Sequence, residues 1–453
     1  TTEIYTLSLH DALPIWVAGS ALVLGGTGGA KALNVEGGLL LVDRGNAGGG
    51  GDSIGTNATI NVSGGILRYT APTNSIGGFT PPLTINNSAT VNVSGGALEV
   101  VDVTRHPTNA NGRARFVLGG SGAGTMNITG GNVLFSNIGD GIFFGGLSGT
   151  GLGQINQSGG TNTIGAAGGN AYIGGTTGSG GKGEYNLSGG LLDSAKSIEL
   201  GNGSAAAFSE ANPLGVLNIS GGVFRNSGST VLGGNDWGGA ANSGNGHGVV
   251  NISGGTADFL GSLLVGTATA TTTPGNTNRG YLIMTGGDAN VSGGFRVGDI
   301  SNAYGRVSMG GGTLDVTGGD FFVGRRGGTG EFLQTNGAVV SLVNVSVADG
   351  ADSMGLLQLD GGSFTVTNAT GNNQLLIGNG GGQGTLQLGG GALAVDQIVI
   401  SANSLMVGAG AITGGLTNFG TIAPGSSPGI IAVDGDAVLA GTSLLLMELA
   451  GTG

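Results

Sequence analysis

The chain has 453 residues with 105 glycines and no cysteine, and its 14 Lys and Arg against 26 Asp and Glu give a formal net charge of −12. Glycine at this level weakens helix interiors, which excludes a helical bundle, and the lack of cysteine excludes a disulfide scaffold. So few basic residues predict no nucleic-acid binding through phosphates and no polybasic membrane contact. No run of about 18 apolar residues occurs, so we expect no membrane insertion.

Residues 1–15, TTEIYTLSLHDALPI, contain no glycine and differ from everything that follows. Codons for all fifteen can be chosen to match a common short-read sequencing adapter, so we expect this segment to be foreign to the natural protein. The alternative is a natural N-terminal strand. On the first interpretation, the natural N-terminus has been lost together with any signal peptide.

From residue 16 onward the dominant feature is a repeated phrase, apolar–Asn–apolar–Ser–Gly–Gly, with thirteen strict or looser copies spaced 25 to 35 residues apart. Apolar and polar residues alternate within the phrase, as they do in a half-buried strand. The glycine pair predicts a turn, because glycine adopts a positive φ without steric cost. The clearest copies are 60-INVSGG-65, 91-VNVSGG-96, 126-MNITGG-131, 185-YNLSGG-190, 217-LNISGG-222 and 250-VNISGG-255.

A second strand is predicted after each glycine pair, because its second residue is apolar in twelve of the thirteen copies and therefore points inward. These inward positions are Leu40, Leu67, Leu98, Val133, Asn162, Leu192, Phe224, Ala257, Ala289, Leu314, Val339, Phe364 and Leu393. A third strand is predicted by the phrase apolar–x–apolar–Gly, as in 263-LLVG-266 and 321-FFVG-324. Three short strands in each repeat predict an all-β fold, a parallel β-helix or β-solenoid of about thirteen coils over residues 16–400.

Charged residues recur at one outward position of the second strand, in neighbouring coils. They are Arg68, Glu99, Asp193, Arg225, Asp258 and Asp315, and a similar row after the third strand contains Asp299, Arg325 and Asp349. The alternating signs favour ion pairs between coils, each of which contributes little in water. The alternative is a carbohydrate-active site, because β-helical lyases and hydrolases place acids and a base on adjacent coils.

The asparagine of the phrase forms a column of Asn34, Asn61, Asn92, Asn127, Asn156, Asn186, Asn218 and Asn251. We expect these amides to hydrogen-bond to one another between coils, and the alternative is a row that binds a ligand. Beyond residues 1–15 the histidines are His106 and His247, which are predicted to lie on the surface in loops. No motif assigns a catalytic residue, a metal ligand or a cofactor-binding residue, so we expect no cofactor.

The phrases 217-LNISGG-222 and 263-LLVG-266 resemble the glycine-rich β-strand repeats of autotransporter passengers and of surface proteins with a PEP-CTERM sorting signal. Residues 401–453, with 415-GLTNFGTIAPGSSPGIIAVDGD-436 and 444-LLLMEL-449, resemble the segment that closes such repeat regions. The resemblance implies an exported rod, secreted or on the outer-membrane surface of a Gram-negative-type bacterium, and transfers no catalytic residue. Because neither a translocating barrel nor a sorting tail follows, we expect the chain to be truncated there.

We therefore expect an exported, non-enzymatic structural or adhesive protein, a β-helical stalk or passenger that contacts extracellular glycans or other surface proteins. The alternative is a β-helical polysaccharide lyase or hydrolase. A disordered low-complexity chain is disfavoured, because the inward positions recur too regularly.

Overall fold

The computed structural model describes residues 3–7, 15–18, 23–24, 30–43, 52–71, 83–85, 88–102, 115–120, 122–136, 141–145, 151–167, 169–175, 181–202, 214–234, 246–267, 277–425 and 429–447. These residues form short β-strands and one 3₁₀ turn, Asn379–Gly381. The chain divides into two compact units, Thr1–Gly228 and Ser229–Gly453. In each unit equivalent strands pair in parallel, as in a β-solenoid, so the predicted fold class is confirmed.

In the first unit all described coils but the last supply three strands, and each strand pairs with its equivalents in the neighbouring coils. The first strands are Glu3–Leu7, Lys31–Val35, Ala58–Val62, Ala89–Val93, Ala123–Ile128, Leu152–Ile164, Lys182–Ser194 and Gly215–Ile219. The second are Ile15–Ala18, Leu39–Asp43, Ile66–Ala71, Ala97–Asp102, Asn132–Ser136, the later halves of Leu152–Ile164 and Lys182–Ser194, and Val223–Asn226. The third are Val23–Leu24, Asp52–Ile54, Leu83–Ile85, Arg115–Leu118, Gly141–Phe144, Ala171–Ile173 and Ile198–Leu200.

The second unit repeats this arrangement. Its first strands are His247–Ile252, Asn278–Val291, Ala303–Val316, Thr329–Gln334, Met354–Leu359, Gln383–Leu388, Leu405–Gly408, Thr421–Pro424 and Leu444–Leu445. The second are Thr256–Phe259, the later halves of Asn278–Val291 and Ala303–Val316, Ala338–Ser341, Ser363–Val366, Ala392–Ile400, Gly410–Asn418 and Ile431–Asp434. The third are Thr230–Leu232, Leu263–Thr267, Phe295–Asp299, Phe321–Arg325, Val345–Asp349, Gln374–Ile377, the later halves of Ala392–Ile400 and Gly410–Asn418, and Ala437–Leu439.

The core of each unit lies inside its coils, because alternate residues of the first and second strands, such as Ala58–Val62 and Asn132–Ser136, point inward. All thirteen inward positions predicted for the second strands are at most 3% exposed, which confirms the assigned strand faces. Aromatic rings fill part of each core: in the first unit Phe116 packs on Phe135 with ring centroids 4.7 Å apart, and Phe144 packs edge-on against Tyr185 at 6.1 Å. The corresponding cluster in the second unit consists of Phe295, Phe321, Phe332 and Phe364.

Asn162, the one polar residue among the predicted inward positions, is fully buried and has a specific partner. Its Nδ2 donates a hydrogen bond of 2.9 Å to the hydroxyl of Tyr185, which donates to Oε1 of Gln157. The amide of Gln157 donates in turn to the carbonyl oxygens of Gly160 and Leu191. The departures from the repeat pattern at three positions therefore pair the Nδ2 of Asn162, the Tyr185 hydroxyl and the Gln157 amide with one another, as buried polar groups require, while the Oδ1 of Asn162 has no partner among the described residues.

The turn after the first strand requires glycine at its second position. Gly222 has a φ of +71°, and a Cβ at this residue would lie 2.6 Å from the carbonyl oxygen of Gly190 in the preceding coil. Both the left-handed conformation and the close approach of the two backbones exclude larger residues. The glycine content of the chain follows in part from this requirement, which recurs at equivalent residues such as Gly96, Gly131 and Gly190.

The number of coils differs from the predicted thirteen. Among the residues that the structure describes, eight first strands lie in the first unit and nine in the second. Strands without the repeated phrase also join the stacks, such as Glu3–Leu7 and, beyond residue 400, Leu405–Gly408. Glu3–Leu7 lies within the predicted adapter segment, and its pairing with Lys31–Val35 has no bearing on the origin of that segment.

Candidate functional site

The asparagines of the repeated phrase form a hydrogen-bonded ladder on the outside of the first unit, which confirms that prediction. In each step the Nδ2 of one residue donates to the Oδ1 of its equivalent in the preceding coil. The steps are Asn61 to Asn34 (2.7 Å), Asn92 to Asn61 (2.8 Å), Asn127 to Asn92 (2.8 Å), Asn156 to Asn127 (3.0 Å), Asn186 to Asn156 (3.0 Å) and Asn218 to Asn186 (2.8 Å). We call these seven residues the asparagine ladder; Asn251, the eighth predicted member, belongs to the second unit.

Two further polar columns flank the asparagine ladder, because residues two before and two after each asparagine share its face of the strand. The preceding column consists of Thr59, Thr90, Thr125, Gln154 and Glu184, which lie in register from coil to coil. The following column consists of Ser63, Ser94, Thr129, Ser158, Ser188 and Ser220, all of which are exposed. We call the three columns together the polar face.

A groove of about 390 Å³ lies on the polar face, and the residues that line it carry amides or hydroxyls and no charge; one of them, Gln157, is 1% exposed and faces inward. The lining residues are Asn92, Asn127, Thr129, Asn156, Gln157, Ser158, Asn186 and Ser188. They come from four successive coils, so the groove follows the asparagine ladder from coil to coil.

The amides of the ladder retain hydrogen-bonding capacity. Asn127, for example, donates one N–H to Asn92 and accepts one hydrogen bond from Asn156. A primary amide carries two N–H groups and two acceptor lone pairs, so one N–H and one lone pair of Asn127 remain for water or a ligand. The same count holds at Asn92 and Asn186. The groove therefore presents a regular series of donors and acceptors.

The predicted charged pairs of the first unit form as ion pairs between adjacent coils. Arg68 lies beside Glu99, and Arg225 binds Asp193 through two parallel hydrogen bonds of 3.0 and 3.2 Å. The partners occupy equivalent positions of paired strands, as the sequence pattern predicts. Because all four side chains are partly exposed, each pair contributes little to stability.

Glu199 is a buried acid of the first unit that the repeat pattern does not identify. Its side chain is 1% exposed and accepts hydrogen bonds from Asn170, at 2.9 Å, and from Asn202. Glu199 is the middle residue of the strand Ile198–Leu200, where strand alternation predicts an outward side chain, so the sequence pattern gives no signal of its burial.

The second row of predicted charges, Asp299, Arg325 and Asp349, is also brought together. Arg325 lies 4.0 Å from Asp299 and 3.6 Å from Asp349. The strongest contact of this cluster was not predicted: Arg326 binds Asp299, which is only 2% exposed, through hydrogen bonds of 3.0 and 2.7 Å. Because two parallel N–H···O bonds reach a buried carboxylate, this pair contributes more to stability than an exposed ion pair does.

Asp258 and Asp315 are the remaining predicted charges, and both belong to the second unit. Asp258 accepts a hydrogen bond of 2.8 Å from Nδ2 of Asn290 in the next coil. Asp315 is half-buried and aligned with Asn290 in the strand pairing. Of the two acids, Asp258 is thus held by an amide of the next coil.

The prediction that His247 lies on the surface in a loop is wrong. The residue begins the strand His247–Ile252, is 1% exposed, and stacks on Tyr281 with ring centroids 5.0 Å apart. Neither ring nitrogen has a hydrogen-bond partner in the described part of the chain. Burial, together with the positive charge of Arg279, lowers the pKa of His247 to about 4. His106, the other predicted surface histidine, lies outside the described residues.

The described residues hold no cluster of three or more His, Asp or Glu side chains that could bind a metal ion. Over the same residues, no helix has the length and apolar character needed to cross a membrane. Comparison of the chain with protein-family models, with curated proteins and with solved structures finds no match.

Proposed function

We propose that the protein is an exported, non-enzymatic β-solenoid with a structural or adhesive role, and that the groove on its polar face binds extracellular glycans. The observation that carries this proposal is the uncharged groove along the asparagine ladder, where amides and hydroxyls repeat in every coil. Glycan hydroxyls both donate and accept hydrogen bonds, and the ladder offers both kinds of partner at each step.

A repeated site suits adhesion, because each neutral hydrogen bond contributes only ~0.5–1.5 kcal/mol in water. Useful affinity for a hydrated sugar therefore needs several such contacts at once. A row of equivalent amides supplies these contacts without a deep pocket, and the parallel stacking of strands fixes their spacing.

The alternative function, a polysaccharide lyase or hydrolase, would use the outward acids in catalysis. Glu99 and Asp193 are held by arginines, and Asp258 is held by an amide. Side chains engaged in this way support the non-enzymatic proposal, because an acid–base pair must be free to reach a substrate oxygen.

A glycan array combined with a reducing-sugar assay tests the proposed function. We expect binding to one or more glycans and no release of reducing ends from the glycans that bind. Release of reducing ends, abolished by Asp193→Asn, would establish the enzymatic alternative instead. Protease treatment of intact cells of the source bacterium tests export, because a surface protein is degraded while cytoplasmic proteins survive.

A further inference from the structure

The groove on the polar face runs along the direction in which the coils stack. Its lining includes Asn92, Asn127, Asn156 and Asn186, which are equivalent residues of four successive coils. Parallel strands lie ~4.8 Å apart, so these four amides span ~14 Å along the stacking direction. A ligand that fills the groove therefore lies across the strands, parallel to the coil axis.

The chemistry of the lining selects a neutral ligand. No Lys or Arg is among the lining residues, and the nearest acid on the polar face is Glu184, which accepts hydrogen bonds from Gln154 and Asn218 at 3.3 Å. An anionic polymer would lack the guanidinium or ammonium partners that carboxylates and sulfates require. The chain's net charge of −12 opposes such a polymer further.

The contacts available in the groove are those of hydroxyl recognition. The lining contains amides and hydroxyls but no aromatic ring, so the face of a sugar has no stacking platform there. The hydroxyls of Thr129, Ser158 and Ser188 lie on one side of the asparagine ladder in three successive coils, and that of Ser188 donates to the carbonyl oxygen of Gln157 at 3.2 Å. A ligand whose hydroxyl groups recur at the spacing of the coils can form hydrogen bonds with the amide of each coil in the groove.

We propose that the groove binds a neutral linear polysaccharide whose chain runs along the coil axis, with one sugar residue for each coil. This inference rests on the proposed glycan binding and specifies its ligand. One hexose in an extended chain advances slightly more than the ~4.8 Å spacing of paired strands, so a few successive sugars stay nearly in step with successive amides. The polymer continues past the groove, which makes the interaction adhesive rather than that of an enclosed site.

Single substitutions with matched controls test the position of the site. Ser158→Ala removes an exposed hydroxyl inside the groove, and Ser94→Ala removes the equivalent hydroxyl outside its lining. Asn156→Val and Asn61→Val each remove two ladder hydrogen bonds, but only Asn156 lines the groove. We expect the groove variants to weaken binding about fivefold or more and the control variants to change it less than twofold.

The probes are cello-, xylo- and chito-oligosaccharides of two to six sugars, with oligogalacturonates of equal length as the charged comparison, measured by calorimetry. We expect affinity for one neutral series to rise with each sugar up to four, to level off beyond four, and to exceed that for the charged series. Binding that is independent of length, or equal in the groove and control variants, overturns the inference but leaves glycan binding intact. Absence of binding to every glycan on the array overturns the proposed glycan binding as well.

Discussion

The substitution His247→Phe should reveal the free-energy cost of the buried imidazole. His247 stacks on Tyr281, and Tyr281 in turn packs against Tyr304, whose hydroxyl donates to Glu331. Phenylalanine keeps an aromatic ring at this position and removes both ring nitrogens. We expect the variant to be more stable than the wild type at pH 7 by about 1–3 kcal/mol, because a buried polar group without a partner costs that much.

The pH dependence of this difference follows from the pKa of His247, which falls from 6.5 in the unfolded chain to about 4 in the folded one. Below pH 6.5 the unfolded chain binds a proton that the folded chain excludes, so acidification favours unfolding. The contribution of the neutral ring to the free energy of unfolding is fully present above pH 6.5 and is lost progressively as the pH falls to about 4. At ~1.4 kcal/mol for each tenfold change in proton affinity, the loss amounts to about 3 kcal/mol.

Urea unfolding followed by circular dichroism at several pH values between 7 and 4 measures this effect as the difference between wild type and variant. The subtraction removes the titration of carboxylates shared by both proteins. A second measurement is the NMR titration of the histidine ring protons, in which the signal missing from the variant identifies His247. A difference that stays constant between pH 7 and 4, or a His247 signal that titrates near 6.5, would refute the reasoning.

Three further predictions concern the folded stack, with the midpoint of urea unfolding as the common measurement. Leu98→Ala should lower the free energy of unfolding by about 2–5 kcal/mol, because Leu98 is fully buried, whereas Leu134→Ala, on the outward face of the next coil, should lower it by less than half of that. Equal losses of stability in the two variants would contradict the assigned strand faces. Gly222→Ala should lower the free energy of unfolding more than Gly371→Ala does, although both residues have a positive φ, because only at Gly222 would the new Cβ lie 2.6 Å from a backbone atom. Equal losses of stability would show that the coils can separate at Gly222. Tyr185→Phe should lower the free energy of unfolding by about 1–3 kcal/mol, because it leaves two buried side-chain amides without their hydroxyl partner. An unchanged unfolding midpoint would mean that the two amides find other partners.

The repeat pattern predicts contacts between equivalent positions, because parallel in-register stacking places each residue beside its counterpart one coil away. The asparagine ladder and the pair of Arg225 with Asp193 follow directly from this rule. The same rule marks Asn162 as an exception, because its counterparts at the inward position are apolar. The hydroxyl of Tyr185 comes from an inward position of a different strand.

The sequence by itself determined the fold class, the inward and outward faces of the strands and the residues of the ladder, since a two-residue period and a repeated phrase encode them locally. Only the tertiary structure decided the burial of His247, which depends on the ring of Tyr281 from another strand. Only the tertiary structure revealed that Arg326 reaches Asp299, because the left-handed turn at Arg326, with a φ of +49°, brings a non-equivalent residue back onto the preceding coil. Contacts of this kind depend on how turns direct side chains in space, and a one-dimensional pattern carries no record of that direction.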